Sequence, residues 1–261
     1  MRALLLAFAL SATPAAAVSF DPGTPGPAYA EASVEVDSVV TTSYGFGTYT
    51  VGNGSVTITA APVAAVTASA KTLAGSTTAV GANGLLNYEY LVKVAASGTA
   101  QNTILNLVTI KGLSTFDAST NTFGYVQAFS GAGEGTAQQY YEDAMVGAGP
   151  YSAAFQMGGA GRYEGTITEN GADLFVYRGT FGLFAGGRAL AGGGNVTVTI
   201  DPLFSVNSAA LQDAGLNGPA TVELSPGISN AAAVPEPANW ALMIAGFGLL
   251  GSVRRRRIAF A

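Results

Sequence analysis

Residues Asn195 to Asp201 read Asn-Val-Thr-Val-Thr-Ile-Asp, and Ser33 to Val40 read Ser-Val-Glu-Val-Asp-Ser-Val-Val. An apolar residue at every second position lines one face of a pleated strand and leaves the other face polar, so both segments are expected to be half-buried strands. Tyr49 to Thr59 places Gly52, Asn53 and Gly54 between two β-rich arms, which predicts a hairpin. Further strands are expected over Leu86–Val94, Ile104–Ile110, Phe123–Phe129, Gln138–Met145, Arg162–Thr168 and Leu174–Phe184, most of them separated by glycine-rich breaks. The only helical signal is a turn over Ala209–Ala214. Some ten short strands at turn-like spacing predict an all-β body, a β-sandwich of jelly-roll type. Ala60–Ala82 alternates poorly and reads as a loop or a weak edge strand. Pro22, Pro25 and Pro27 make Asp21–Ala30 an extended arm.

The composition excludes several function classes. The chain has neither cysteine nor histidine, so disulfides, thiolate nucleophiles, Cys- or His-ligated metals and Ser-His catalysis are all out of reach. Arg2, Glu236 and Arg254–Arg257 lie near the ends. Without them, Val18 to Pro235 holds six basic residues against fifteen carboxylates, a net charge of −9. Nucleic acid is therefore not an expected partner, because phosphate neutralisation needs clustered Lys and Arg.

The two ends read as targeting segments. Residues 1–17 have the form of a signal peptide: Arg2 supplies charge, Ala3–Leu10 an apolar stretch, and Ala15 and Ala17 the small residues of a cleavage site before Val18. The body is then expected over 18–229 and a small-residue linker over 230–234. The segment 235–261 brings together Pro235-Glu236-Pro237, Trp240, an apolar stretch at about 238–253 and the cluster Arg254, Arg255, Arg256 and Arg257. Trp240 suits an interfacial aromatic, and the arginines suit the cytoplasmic side of a membrane. The apolar run Trp240–Val253 gives only ~21 Å of helix against a hydrocarbon core of ~30 Å, which makes a short span.

This tail closely resembles the PEP-CTERM sorting signal, in the variant with Trp-Ala shortly after the second proline; the resemblance covers Val234 to Ala261. It implies export through the inner membrane of a Gram-negative bacterium and transient anchoring there. Recognition of the Pro-Glu-Pro element by an exosortase-like enzyme follows, and then a place at the cell surface or in an exopolysaccharide or biofilm matrix.

The body offers little chemistry of its own. Glu142 and Asp143 are its only adjacent carboxylates, and as strand neighbours they are expected on opposite faces, which argues against a shared site. Gly131–Gly135 lacks a following Lys and reads as a turn. No Asp-rich calcium loop is present, and no cofactor is expected. Tyr140, Tyr141 and Tyr151, with Phe155 close by and Gln138, Gln139, Glu142 and Asp143 beside them, could stack on sugar rings; the same residues equally suit a sandwich core with one outward tyrosine. The expected function is non-enzymatic adhesion or glycan contact. The alternative is an extracellular carbohydrate-active enzyme using paired carboxylates.

Overall fold

The computed structural model describes residues 21–132, 139–147 and 149–230. The leader at 1–17, the Pro-Glu-Pro element, the segment 238–253 and the arginine cluster lie outside them, as does most of Gly131–Gly135. Among the described residues no helix is long and apolar enough to cross a membrane.

The body is all-β. Its strands are β1 (Tyr29–Val36), β2 (Val39–Tyr44), β3 (Gly47–Val51), β4 (Gly54–Thr59), β5 (Ala65–Thr72), β6 (Val80–Ala95), β7 (Thr103–Ala118), β8 (Thr122–Gly131), β9 (Gln139–Val146), β10 (Gly149–Glu169), β11 (Ala172–Ala189), β12 (Gly194–Val206) and β13 (Ala220–Leu224). Among the described residues the one helix is α1 (Ser208–Asp213), capped by Asn207, whose Oδ1 accepts from the Ala210 N–H at 3.3 Å.

All pairings are antiparallel and join one continuous sheet in the order β2-β1-β6-β11-β10-β7-β12-β5-β4-β3, with β13 added to β6 and β8-β9 added to β11. This one sheet curls into a nearly barrel-like form. β10 makes the turn: its first part pairs with β7, then a bulge between Gly159 and Gly161 swings the chain so that Arg162–Glu169 pair with β11. The leaf holding β1, β6, β11 and β8 faces the leaf holding β4, β5, β12 and β7. Between them lie Val34, Leu86, Leu183, Val66, Val198, Ile200, Phe116 and Val126, with an aromatic group of Tyr88, Tyr90, Phe181 and Phe204. β1 and β13 lie end to end along one edge of β6, where Tyr29 faces Asn87 and Leu224 faces Tyr90.

Three local readings are corrected. The run Ser33–Val40 is not one strand but a tight hairpin: Asp37 and Ser38 take φ of 52° and 66°, the two left-handed conformations of a type I′ turn. The unplaced stretch 60–82 contains β5, which pairs with β4 and β12. Val66, Ala68 and Ala70 point in and Thr67, Ser69 and Lys71 point out, but alanine is too weakly apolar to make that alternation visible in the sequence. The arm before β1 includes a turn at 21–24, in which Asp21 Oδ1 accepts from the Gly23 N–H at 2.9 Å. The turn docks through Arg178, which donates to the carbonyls of Asp21 and Thr24 and pairs with Glu89.

Several strands also run past glycines that look like breaks in the sequence. Within β6, β7, β10 and β11, Gly84, Gly112, Gly159, Gly179, Gly182 and Gly186 sit where a neighbouring side chain lies close against the backbone. A β-carbon on Gly112 would fall 2.4 Å from the Phe155 ring, and one on Gly179 2.2 Å from the Tyr90 ring. The glycines mark close approach rather than chain reversal.

Candidate functional site

The outer face of β1, β6, β11, β8 and β9 carries three ranks of side chains in register. The first runs Asn83, Gly186, Tyr125 and Ala144; the second Leu85, Phe184, Gln127 and Glu142; the third Asn87, Gly182, Phe129 and Tyr140. β8 supplies this face because Phe123, Tyr125, Gln127 and Phe129 occupy alternate positions, while Gly124, Val126 and Ala128 between them turn inward.

The rings form a low platform. Tyr125 and Phe184 stack with centroids 5.1 Å apart and planes at 25°, and Phe123 continues the row 5.5 Å from Tyr125. Gly182 and Gly186 let them lie down: a β-carbon on Gly186 would meet Tyr125 at 2.6 Å and the Asn83 amide oxygen at 2.8 Å, and one on Gly182 would meet Phe129 at 2.0 Å. Beside Phe129, the buried Asn87 Oδ1 has no hydrogen-bond partner among the described residues.

β9 and β1 carry the same pair. On β9 the Tyr140 hydroxyl donates to Glu142 Oε2 at 2.5 Å and accepts from Gln127 Nε2 at 3.0 Å. On β1 the Tyr29 hydroxyl donates to Glu31 Oε2 at 2.5 Å, and the Tyr29 ring lies 6.1 Å from that of Tyr44. Burial, and then the bond to Glu142 with its charge, pushes the Tyr140 phenol up to about 12; burial and Glu31 raise Tyr29 in the same way. Both phenols are therefore neutral donors at neutral pH. Four inter-strand steps separate β1 from β9, roughly 19 Å, enough for several sugar rings.

The tyrosines singled out in the sequence do not come together. Tyr140 stands on this platform, 55% exposed. Tyr141, its neighbour on the strand, points to the inner side, where it stacks on Phe155 at 4.7 Å and 19° and shares hydrogen-bonding distance with the buried Ser114 (3.1 Å) and Asp143 (3.3 Å). Tyr151 lies on β10, 5.7 Å from the Phe116 ring, beside a shallow hollow of about 350 Å³ shared with Asp117, Pro150 and Thr197. Glu142 and Asp143 bond to side chains on opposite faces of β9 and share no site. Among the described residues no group of three or more carboxylates converges as a metal site.

No family model and no curated protein matches this chain. A solved structure of infectious bursal disease virus Gx strain aligns at 7% identity over 86% of this chain and 74% of that one, with a TM-score of 0.16, and carries no argument about this protein. The functional reading rests on the chain's own residues.

Sequence reading missed Tyr125, Phe129, Phe184, Asn83, Asn87 and Gln127. The available signal was the alternation Phe123-Gly-Tyr-Val-Gln-Ala-Phe129, in which bulky or amide groups share one face and small or aliphatic residues the other.

Proposed function

We propose that this chain is an exported, non-enzymatic surface or matrix protein that holds glycans on the outer face of β6, β11, β8 and β9. In this reading the signal peptide and the PEP-CTERM-like tail, with its short membrane span at 238–253, deliver the body, and the body is a jelly-roll-like sandwich whose two leaves are joined at β10. One observation supports the glycan reading: the Tyr125–Phe184 stack lies flat over glycine, with amides and a tyrosine–carboxylate pair around it. Flat rings suit the apolar faces of pyranoses, while Asn83, Gln127, Tyr140 and Glu142 suit their hydroxyls. The partner is neutral or weakly charged polysaccharide, since a body of net charge −9 repels strongly anionic polymers.

The test is affinity electrophoresis of the protein through gels containing the producing organism's own polysaccharide. Joint replacement of Tyr125 and Phe184 by alanine removes two stacking surfaces at ~1 kcal/mol each, so binding should weaken about tenfold or more. Tyr151→Ala, away from the platform, should bind as the parent does. Equal retardation of the double variant and the parent would discard the platform.

A further inference from the structure

The sheet's free edges differ in one respect. β9 pairs only with β8 and carries Glu142 and Asp143; β13 pairs only with β6 and carries Glu223. Charges on an edge strand discourage a second chain from pairing with it. β2 pairs only with β1 and β3 only with β4, at the two ends of the strand order, and neither strand carries a charge. From Val39 to Val51 the chain reads Val-Val-Thr-Thr-Ser-Tyr-Gly-Phe-Gly-Thr-Tyr-Thr-Val, thirteen residues with no charge and no proline.

β2 also projects beyond the core. Val39, Val40 and Tyr44 are 67%, 61% and 68% exposed, and Thr41 and Thr42 are exposed as well, so both faces of the strand are open to solvent. The two-residue turn sets which backbone groups are free. Val36 and Val39 flank it as a hydrogen-bonded pair, so alternation commits Val39, Thr41 and Ser43 to β1. The bond from the Gly45 N–H to the Ala30 carbonyl, 2.9 Å, continues that series. Val40, Thr42 and Tyr44 therefore direct their N–H and C=O groups outward.

We infer that this edge is a self-association surface whose occupant is a second copy of the same chain, paired antiparallel through β2. An isologous contact brings the same strand from each copy, so the rest of the acidic body is kept apart while the uncharged strands meet. With the twofold axis at Thr42, that residue faces its own counterpart and Val40 faces Tyr44 of the second copy. The side chains of Val40, Thr42 and Tyr44 share the outer face with Glu31 and Tyr29, because Tyr44 lies opposite Glu31 and Val40 opposite Glu35. Pairing here makes the outer faces of two copies continuous. The inference stands on the edge alone and does not require that face to bind glycan.

Sedimentation velocity of the full chain, in one non-ionic detergent throughout, tests it. Thr42→Pro removes an outward N–H without touching the β1 ladder, and Thr42→Lys places a charge at the axis; each should weaken self-association roughly tenfold or more. Both variants keep residues 231–261, so association through that segment would survive unchanged. Because the chain has no cysteine, Thr42→Cys offers a direct readout. Hydrogen-bonded antiparallel partners sit ~5.5 Å apart at Cα, within disulfide reach, so oxidised Thr42→Cys should run as a covalent dimer and the exposed control Gln212→Cys should not. A monomeric parent, unaltered association in both Thr42 variants, or cross-linking of Thr42→Cys no faster than the control would each overturn the inference.

Discussion

Tyr88 and Tyr90 point into the same core from adjacent inward positions of β6, yet only one hydroxyl is satisfied. Tyr90 donates to the Ala160 carbonyl at 2.5 Å and lies 3.0 Å from Ser130 Oγ, whereas the Tyr88 hydroxyl has no partner among the described residues. Burial raises both phenols above their usual range, and for Tyr90 the bond to Ser130 offsets part of the rise.

The pair should respond oppositely to loss of oxygen. Tyr88→Phe deletes an unpaired buried hydroxyl and should stabilise the fold by about 1 kcal/mol. Tyr90→Phe orphans a buried carbonyl and a buried serine and should cost about 1–3 kcal/mol. Urea unfolding of both variants decides this, and two shifts of the same sign would refute it.

Gly186→Ala should disturb the aromatic platform without dissolving the sheet. Its β-carbon would fall within 2.6 Å of Tyr125 and 2.8 Å of Asn83, so the ring must lift. We expect a cost of about 1–3 kcal/mol and weakened polysaccharide retention. A variant with parental Tm and parental retention would show that the ring is not seated on this glycine.

Lys93, almost buried, reaches Glu169 at 3.1 Å and Glu223 at 2.9 Å. Burial alone lowers its pKa, but the bonds and charges of Glu223 and Glu169 outweigh it, and the net shift is upward. A raised folded pKa contributes stability that is complete below the unfolded value, about 10.4 for lysine, and is lost as pH climbs through the folded one. Tyr29, Tyr88, Tyr90 and Tyr140 act in the same direction above about pH 10. With no histidine side chain to titrate, Tm should change little between about pH 6 and 9 and fall steeply above about 10. Lys93→Met should cost about 1–2 kcal/mol at neutral pH, because both carboxylates are partly exposed, and should soften the alkaline fall.

The all-β class was legible because the alternation of apolar and polar residues survives in β1, β4 and β12. What misled was glycine. Gly158, Gly159, Gly161, Gly179, Gly182 and Gly186 look like boundaries, so β10 and β11 seemed short, although a ring or an aliphatic side chain lies against several of these glycines from the neighbouring strand or the facing leaf. The site failed to show for a related reason. Tyr140 and Tyr141 are neighbours in sequence and are parted by the pleat, whereas Tyr125 and Phe184 are far apart in sequence and meet only through the β8–β11 register. The run Val39–Val51 carries no charge, but its place at an edge follows only from the pairing of β1 with β2 on one side and β6 on the other.

The end-to-end placement of β1 and β13 on β6 sets where tension enters the molecule. A pull on the chain beyond residue 230 first loads Asn230, whose amide grips the Phe204 backbone through two bonds of 2.7 and 2.9 Å. It next loads Ser229, whose N–H donates to the Ala60 carbonyl at 2.7 Å, then Ser225, bonded to the Glu89 N–H at 2.9 Å, and only then peels β13 from Leu224 toward Ala220. Strain along this path arrives beside Tyr29, at the seam between the two terminal strands. This end of the body is thus a fuse of short, sequential rungs, and the long pairings of β6 with β11 and β7 with β10 stay unloaded until it has opened.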